Sequence, residues 1–272
     1  MKVMPQPVAS ARLERERNGF TLVELLVIIG LLALLATIQV SAYAGARWRT
    51  RKAVCASNVR KLTLVLHLYG ADSDSKLPIG SDGWPWELPP TMTGEMLSYG
   101  LHKRDFYCPS TAPQFTDWEN FLAPGVDPYV GKPANLWDYF SDGYHITGYV
   151  YALSGGELSS SNQNTTLLAE PIKTGPFTIS PTLPPPPNSE RVLVADSIIS
   201  QPGQNNPTRR LTGGYNYTDI TGGFYKHHLS AHLNGSIPEG SNLGFKDGHV
   251  AWRKFSDEQV APRTRTSPPF WW

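Results

Sequence analysis

The chain has 272 residues, with 24 basic and 23 acidic side chains and a formal charge of +1. That length allows one sizeable domain, or one domain with extensions, and the even charge argues against a nucleic-acid partner. Its 24 Gly, 24 Pro, 8 Trp and 12 Tyr suit an outward-facing domain with many turns and a modest core. In chain order, Pro5 and Pro7 keep the start irregular, and the charged segment RLERERN follows. Phe20 to Val40, FTLVELLVIIGLLALLATIQV, then holds 21 residues and one formal charge, Glu24. A bilayer core takes about 20 apolar residues in a helix. The stretch therefore reads as a retained anchor or a membrane-inserted assembly helix. A cleaved signal ending among the small residues Ala42 to Ala46 is a second reading, and a buried soluble helix a third.

Gly19-Phe20-Thr21-Leu22-Val23-Glu24, followed by an apolar run, resembles the processing motif of type IV prepilins and type II secretion pseudopilins. The resemblance implies a leader over residues 1–19, cut between Gly19 and Phe20 by a prepilin peptidase, and N-methylation of Phe20. It implies an assembly role for Glu24, the fifth residue of the processed chain, paired with the Phe20 amine of a neighbouring subunit. Further copies or related pseudopilins are then the partners. The expected location is a single pass of the inner membrane with the C-terminal domain in the periplasm, or an extracellular filament after assembly. Physics gives Glu24 a matching reading, because a carboxylate in hydrocarbon is costly unless paired or neutralised. An interfacial glutamate that reaches the headgroups is the other reading. Losing four basic and two acidic leader residues would turn the charge from +1 to −1.

Residues 20–72 read as one long helix, membrane-embedded to about residue 40. Beyond it Val54, Asn58, Leu62, Val65, Leu66 and Tyr69 recur at helical spacing. Gly70 and Asp72-Ser73-Asp74-Ser75 end it. The two cysteines, Cys55 and Cys108, permit one disulfide or two separate buried thiols. Cys55, Ser57, Asn58, Arg60 and Leu62 resemble the C-x-S-N-x-K/R-Q-L segment of prepilin-type proteins with an H-x9-DG processing-associated domain, with Lys61 where a glutamine is common.

Residues 73–256 are then expected to form an α+β domain. SYGLHKRDFYCPST reads as a short helix entering a short strand. Tyr144 to Leu153 is a strand by its β-formers, Thr165 to Pro171 a weaker one, and TISPTLPPPPNSE a proline loop. Arg191 to Ser200 is a central strand with a break near Asp196. Asn242 to Phe245 and His249 to Phe255 flank an Asp247-Gly248 hairpin turn. Residues 257–272 read as a flexible tail whose terminal aromatics could dock. The H-x9-DG resemblance falls on His232, Asp247, Gly248 and His249, although fourteen residues separate His232 from Asp247 where the pattern has nine. The expected fold class is α+β, with a long N-terminal helix packed on a twisted antiparallel sheet with long loops. The resemblance makes that architecture pilin-like.

His227, His228, His232, Asp247 and His249 concentrate polar ligands late in the chain, and Asp196, Asn216 and Asp219 could approach them. Asp219, His228, His232 and Asp247 are the candidate metal residues. They could hold a transition metal, or calcium through Asp219 or Asp247 with loop carbonyls. The plainer reading is a loop of hydrogen-bonding histidines, since His-His-x3-His is not a recognised ligand spacing. No other cofactor is implied. G-x-S-x-G, H-E-x-x-H and the P-loop pattern are absent, and Ser154 lacks the glycine two residues earlier, where Ala152 stands. The expectation is a non-enzymatic structural subunit. The alternatives are an anchored module that binds protein, or glycan through Trp84, Trp86, Trp118 and Trp137, and an adaptor of a secretion machine.

Overall fold

The first helix starts on a reciprocal cap. Thr21 Oγ1 accepts from the Glu24 backbone N–H (3.2 Å), and a Glu24 carboxylate oxygen accepts from the Thr21 N–H (2.9 Å). This capping box satisfies two amides that helical bonding leaves open at an N-terminus. In the computed structural model, residues 19–80, 83–111, 115–128, 131–140, 143–155, 163–170, 173–174, 178–179, 187–212, 214–264 and 266–272 are described; for 36–44, 173–174 and 178–179 this is the backbone alone. The leader to residue 18 and most of the proline loop lie outside these residues. Helix α1 runs Leu22–Asp72. It ends where Asp74 and Ser75 turn left-handed (φ 52° and 63°) and the Ser75 N–H returns to the Gly70 carbonyl at 2.7 Å.

Two compact units divide the chain, Met1–Arg47 and Trp48–Trp272. In the first, the large apolar side chains described from Leu22 to Leu35 are all exposed. The expected transmembrane helix and single-pass inner-membrane location are corrected here. Among the described residues no helix is long and apolar enough to cross a membrane.

The second unit is α+β with open antiparallel sheets. Its elements are β1 (Glu87–Leu88), α2 (Pro90–Ser98), β2 (His145–Ile146), β3 (Tyr149–Tyr151), β4 (Lys173–Thr174), β5 (Thr178–Ile179), β6 (Val192–Asp196), β7 (Ile198–Ile199), β8 (Leu233–Asn234), β9 (Ile237–Pro238), β10 (Gly240–Phe245), β11 (Val250–Lys254) and β12 (Phe270–Trp271). The main sheet has the order β11-β10-β6-β3, all antiparallel. Among the described residues the chain also forms the two-stranded pairs β1-β2, β7-β12, β4-β5 and β8-β9.

Strands β6 and β10 are buried along their whole length. The α1 side chains Cys55, Val59, Leu62, Val65 and Leu66 are buried in the same core as β6 and β10. The approach is close at Gly244, where a β-carbon would lie 2.0 Å from Thr63 Oγ1 and 3.1 Å from a Val59 methyl. The absent side chain is what lets helix and sheet meet there.

Local expectations fare unevenly. The Arg191 to Ser200 strand does break beyond Asp196, into β6 and β7. Tyr144 to Leu153 divides into β2 and β3, because the chain changes partner at Thr147-Gly148. Thr147 donates through its N–H to the Trp86 carbonyl (2.9 Å), and a β-carbon on Gly148 would lie 2.9 Å from the Cys108 nitrogen. Of the weaker strand expected over Thr165 to Pro171, whose last residue lies outside the described residues, Thr166 forms an isolated bridge with Lys76. The segment expected to enter a strand at Phe106 forms a 3-10 turn over Lys103–Phe106.

The expected flexible tail is also corrected. Phe270, Trp271 and Trp272 are buried. β12 pairs with β7, and Trp271 Nε1 donates to Ser200 Oγ at 2.9 Å. Trp271 closes a small second core with Ile198, Tyr217, Phe255 and Val260. Burying two tryptophans and a phenylalanine, each worth roughly 150–250 Å² of surface, outweighs the chain entropy of a polar segment that would otherwise stay loose.

Candidate functional site

Three places carry the residues singled out by sequence. The first is the chain start. Gly19 and Phe20 are exposed and precede the helix, so the bond between them lies in irregular, accessible backbone. Glu24 is exposed, and hydrogen bonds from the Thr21 backbone and side chain hold its carboxyl below the ordinary range. The Thr-x-x-Glu cap was legible in the motif, yet the sequence pointed to assembly or an interfacial position for this carboxylate and not to a cap.

The second place is the Asp-Gly hairpin. Gly248 adopts φ 93°, the left-handed conformation that such a turn requires. Asp247 Oδ1 accepts from the His249 N–H (3.1 Å) and meets His249 Nδ1 (2.6 Å). The imidazole stacks on Phe245 at 4.2 Å. Burial pushes the Asp247 carboxyl up, but the bonds from His249 outweigh it and hold it low. This is a self-contained turn. Lys246, just before it, is fully buried and bonded to Glu170 at 2.8 Å.

The third place is buried and joins residues far apart in sequence. A disulfide links Cys55 on α1 to Cys108, across 53 residues. The same face of α1 adds two further stitches one and two turns on. Asn58 Nδ2 donates to the Tyr107 carbonyl (3.3 Å), and Lys61 Nζ pairs with Asp105 (2.7 Å). Positions 55, 58 and 61 thus run antiparallel to 108, 107 and 105, which gives the cysteine-asparagine segment a structural meaning at helical spacing.

Asp196 and His232 lie against this disulfide. Their side chains are 0% and 1% exposed, and Asp196 Oδ2 meets His232 Nε2 at 2.9 Å. The same oxygen accepts from the Asn242 N–H (2.7 Å) and from Asn242 Nδ2 (2.9 Å). Asp196 Oδ1 is buried with no hydrogen-bond partner among the described residues. On its other ring nitrogen His232 meets Ser110 Oγ at 3.0 Å, and Cys108 Sγ lies 3.7 Å from Nε2. The ring packs edge-on against Trp252, over whose ring Lys52 Nζ sits at 3.4 Å. His232 itself holds φ 52°. A left-handed conformation costs a side-chain-bearing residue roughly 1–3 kcal/mol and is kept only where surrounding structure enforces it.

Of the candidate metal residues, only His232 enters a group whose ligand atoms come together. That group is Cys55, Cys108, Asp196 and His232, all within 4.8 Å of one another. Asp219 instead pairs with His227 at the surface (2.7 Å). His228 is enclosed by the rings of Trp86 and Phe115, at 4.8 and 5.2 Å. The signal that could have found the cluster is Asp196, a carboxylate inside the apolar run VLVADSII. The four tryptophans form no open platform. Trp86 and Trp137 are buried, Trp84 packs beside Trp86, and Trp118 is exposed.

Burial, with His227 adding a smaller push, drives the His228 ring down to about 3. A depressed histidine folds neutral, so the unfolded chain binds the extra proton below about 6.5. Stability should therefore fall by about 1.4 kcal/mol per pH unit on acidification from about 6.5 towards 3. His228→Phe should flatten that slope. Urea midpoints of both proteins across the range test it, and parallel curves would refute the assignment.

Residues 15–38 match the prokaryotic N-terminal methylation motif. The chain therefore carries a processing motif of a kind consistent with type IV pilins and pseudopilins, over its first part. No curated protein and no solved structure matches the chain.

Proposed function

We propose that this chain is a pilin- or pseudopilin-like structural subunit. A prepilin peptidase cuts it after Gly19, Phe20 is methylated, and α1 assembles with copies or related subunits into a filament or secretion pseudopilus. The observation that carries the reading is the methylation-motif match over residues 15–38. Two features support it. The scissile bond lies outside the helix, and the apolar side chains from Leu22 to Leu35 stand exposed, Leu22 and Val23 at 74% and 67%. Exposed apolar surface of that extent is the kind that packs against a partner. A long helix on an antiparallel sheet is the pilin-like arrangement that this reading requires.

Processing and assembly are tested separately. Co-expressed with a prepilin peptidase, the full chain should yield a product starting at methylated Phe20 by intact mass. A start after Ala42 or Ala46 would sink the reading. Assembly turns on Glu24, which can act as a cap or as a charge. Glu24→Gln keeps an acceptor for the Thr21 amide but removes the negative charge, whereas Glu24→Leu removes both. If Glu24 pairs with a neighbour's amine, both variants lose crosslinks between cysteines placed along Leu25 to Leu35. If it acts only as a cap, worth about 1 kcal/mol, Glu24→Gln crosslinks like the parent and the charge-pairing part fails.

A further inference from the structure

We infer that Cys55, Cys108, Asp196 and His232 form a closed site for a zinc-type divalent ion when the disulfide is reduced. Their four ligand atoms lie within 4.8 Å of one another, and all four residues are buried. Two thiolates, one imidazole and one carboxylate are a donor set that suits zinc, and four protein ligands without water define a structural rather than a catalytic site.

The surrounding residues orient these ligands as a metal shell would. Ser110 Oγ occupies His232 Nδ1 at 3.0 Å, which turns Nε2 towards Cys108 Sγ. Metal-bound imidazoles are held in this way through the opposite nitrogen. Asn242 fixes Asp196 through two bonds to Oδ2, while Oδ1 has no partner among the described residues. A buried carboxylate oxygen without a donor is costly, and a cation would satisfy it. The left-handed backbone of His232 shows that the ring position is enforced against local preference.

The redox step balances. A dithiol donor is oxidised to its own disulfide as the Cys55–Cys108 bond breaks, and two electrons and two protons pass to the two sulfurs. Metal binding then releases both thiol protons to solvent. The sulfurs move apart to roughly 3.7 Å, the separation of two thiolates each about 2.3 Å from a tetrahedral ion. The Cα atoms, 5.4 Å apart, sit on a helix and an irregular segment that can yield this much. The same contact between α1 and the Cys108 segment is thus closed by a covalent bond under oxidising conditions and by an ion under reducing ones.

The test uses the full chain reduced with a tertiary phosphine, because a dithiol would compete for the ion. The phosphine ends as its oxide with an oxygen from water, leaving two thiols. Cobalt(II), titrated as a probe, should bind one equivalent with tetrahedral visible bands and thiolate charge-transfer absorption, and zinc should displace it. Zinc should also raise the melting temperature of the reduced chain, or refold it if reduction alone unfolds it. The oxidised chain should give no thiolate absorption. Ser110→Ala, with melting of its oxidised form unchanged, should bind at least about 10-fold more weakly. The proposal is overturned if reduced protein gives no thiolate-cobalt absorption. It is equally overturned if zinc leaves reduced melting or refolding unchanged, or if Ser110→Ala binds as tightly as the parent.

Discussion

Reducing Cys55–Cys108 in the presence of a chelator, or replacing both cysteines by alanine, should destabilise the second unit by about 4 kcal/mol. The disulfide closes a loop across 53 residues, and loop-closure entropy for that length gives about 4 kcal/mol at 25 °C. For a domain of this size the midpoint should fall by roughly 8–16 °C. The loss should be large because Cys55 and Cys108 are both in the hydrophobic core. The remaining stitches, Asn58 to Tyr107 and Lys61 to Asp105, are individually modest. A half-exposed pair such as Lys61 with Asp105 contributes little by itself. Thermal and urea unfolding of oxidised, reduced and double-alanine forms decide the point. A change under 1 kcal/mol would mean that packing alone holds the Cys108 segment on α1.

Glu170→Ala should cost about 3–5 kcal/mol, because it strands the buried Lys246 and removes the countercharge of the buried Arg191. Lys246 and Arg191 have side chains 0% and 1% exposed, and they approach the Glu170 carboxylate at 2.8 and 3.6 Å. Arg191 also donates to Asn164 Oδ1 (2.8 Å) and to the Glu170 and Gln163 carbonyls (2.8 and 2.9 Å). It therefore remains hydrogen-bonded when Glu170 is lost, and Lys246 takes most of the damage. Glu170→Leu combined with Lys246→Met should be milder than Glu170→Ala alone, since removing both partners leaves no bare charge at Lys246. Additive losses in that pair would argue against coupling.

The same carboxylate carries a pH signature. Burial pushes the Glu170 carboxyl up, but the bonds from Lys246 and Thr165 outweigh it and hold it below its ordinary value. A depressed carboxylate contributes stability above the unfolded value of about 4.3, and that contribution is lost as pH falls through the lower folded value. Acid unfolding should therefore steepen below about 4.3, beyond the gentler slope set by His228. Glu170→Gln should remove the lower part alone.

Lys246 and Arg191 show why buried polar clusters of this fold were hidden in the sequence. Each reads as a surface cation flanking a strand, Lys246 before Asp247-Gly248 and Arg191 before Val192. In the fold both meet residues 163–170, through Glu170, Asn164 and Gln163. The Cys55 side of the cluster was partly legible, since Cys55, Asn58 and Leu62 share a helix face. Its other members, Ser110, Asp196, His232 and Asn242, recur with no period, and His232 was grouped instead with histidines that point elsewhere.

The sequence by itself determined what short-range chemistry controls. Thr21 and Glu24 start the helix, residues 72–75 end it, Asp247-Gly248 makes the hairpin turn, and the β-run breaks beyond Asp196. Each follows from hydrogen bonds or dihedral preferences within about four residues. Hydropathy pointed to a membrane span, but among the described residues no helix is long and apolar enough to cross a membrane. The tertiary structure decided which half of the chain meets which: Cys55 with Cys108, Asp196 with His232, Glu170 with Lys246, and the final tryptophans with β7. These pairings are set by mutual burial across dozens of residues, and a side chain's environment there depends on what packs against it rather than on its neighbours in sequence.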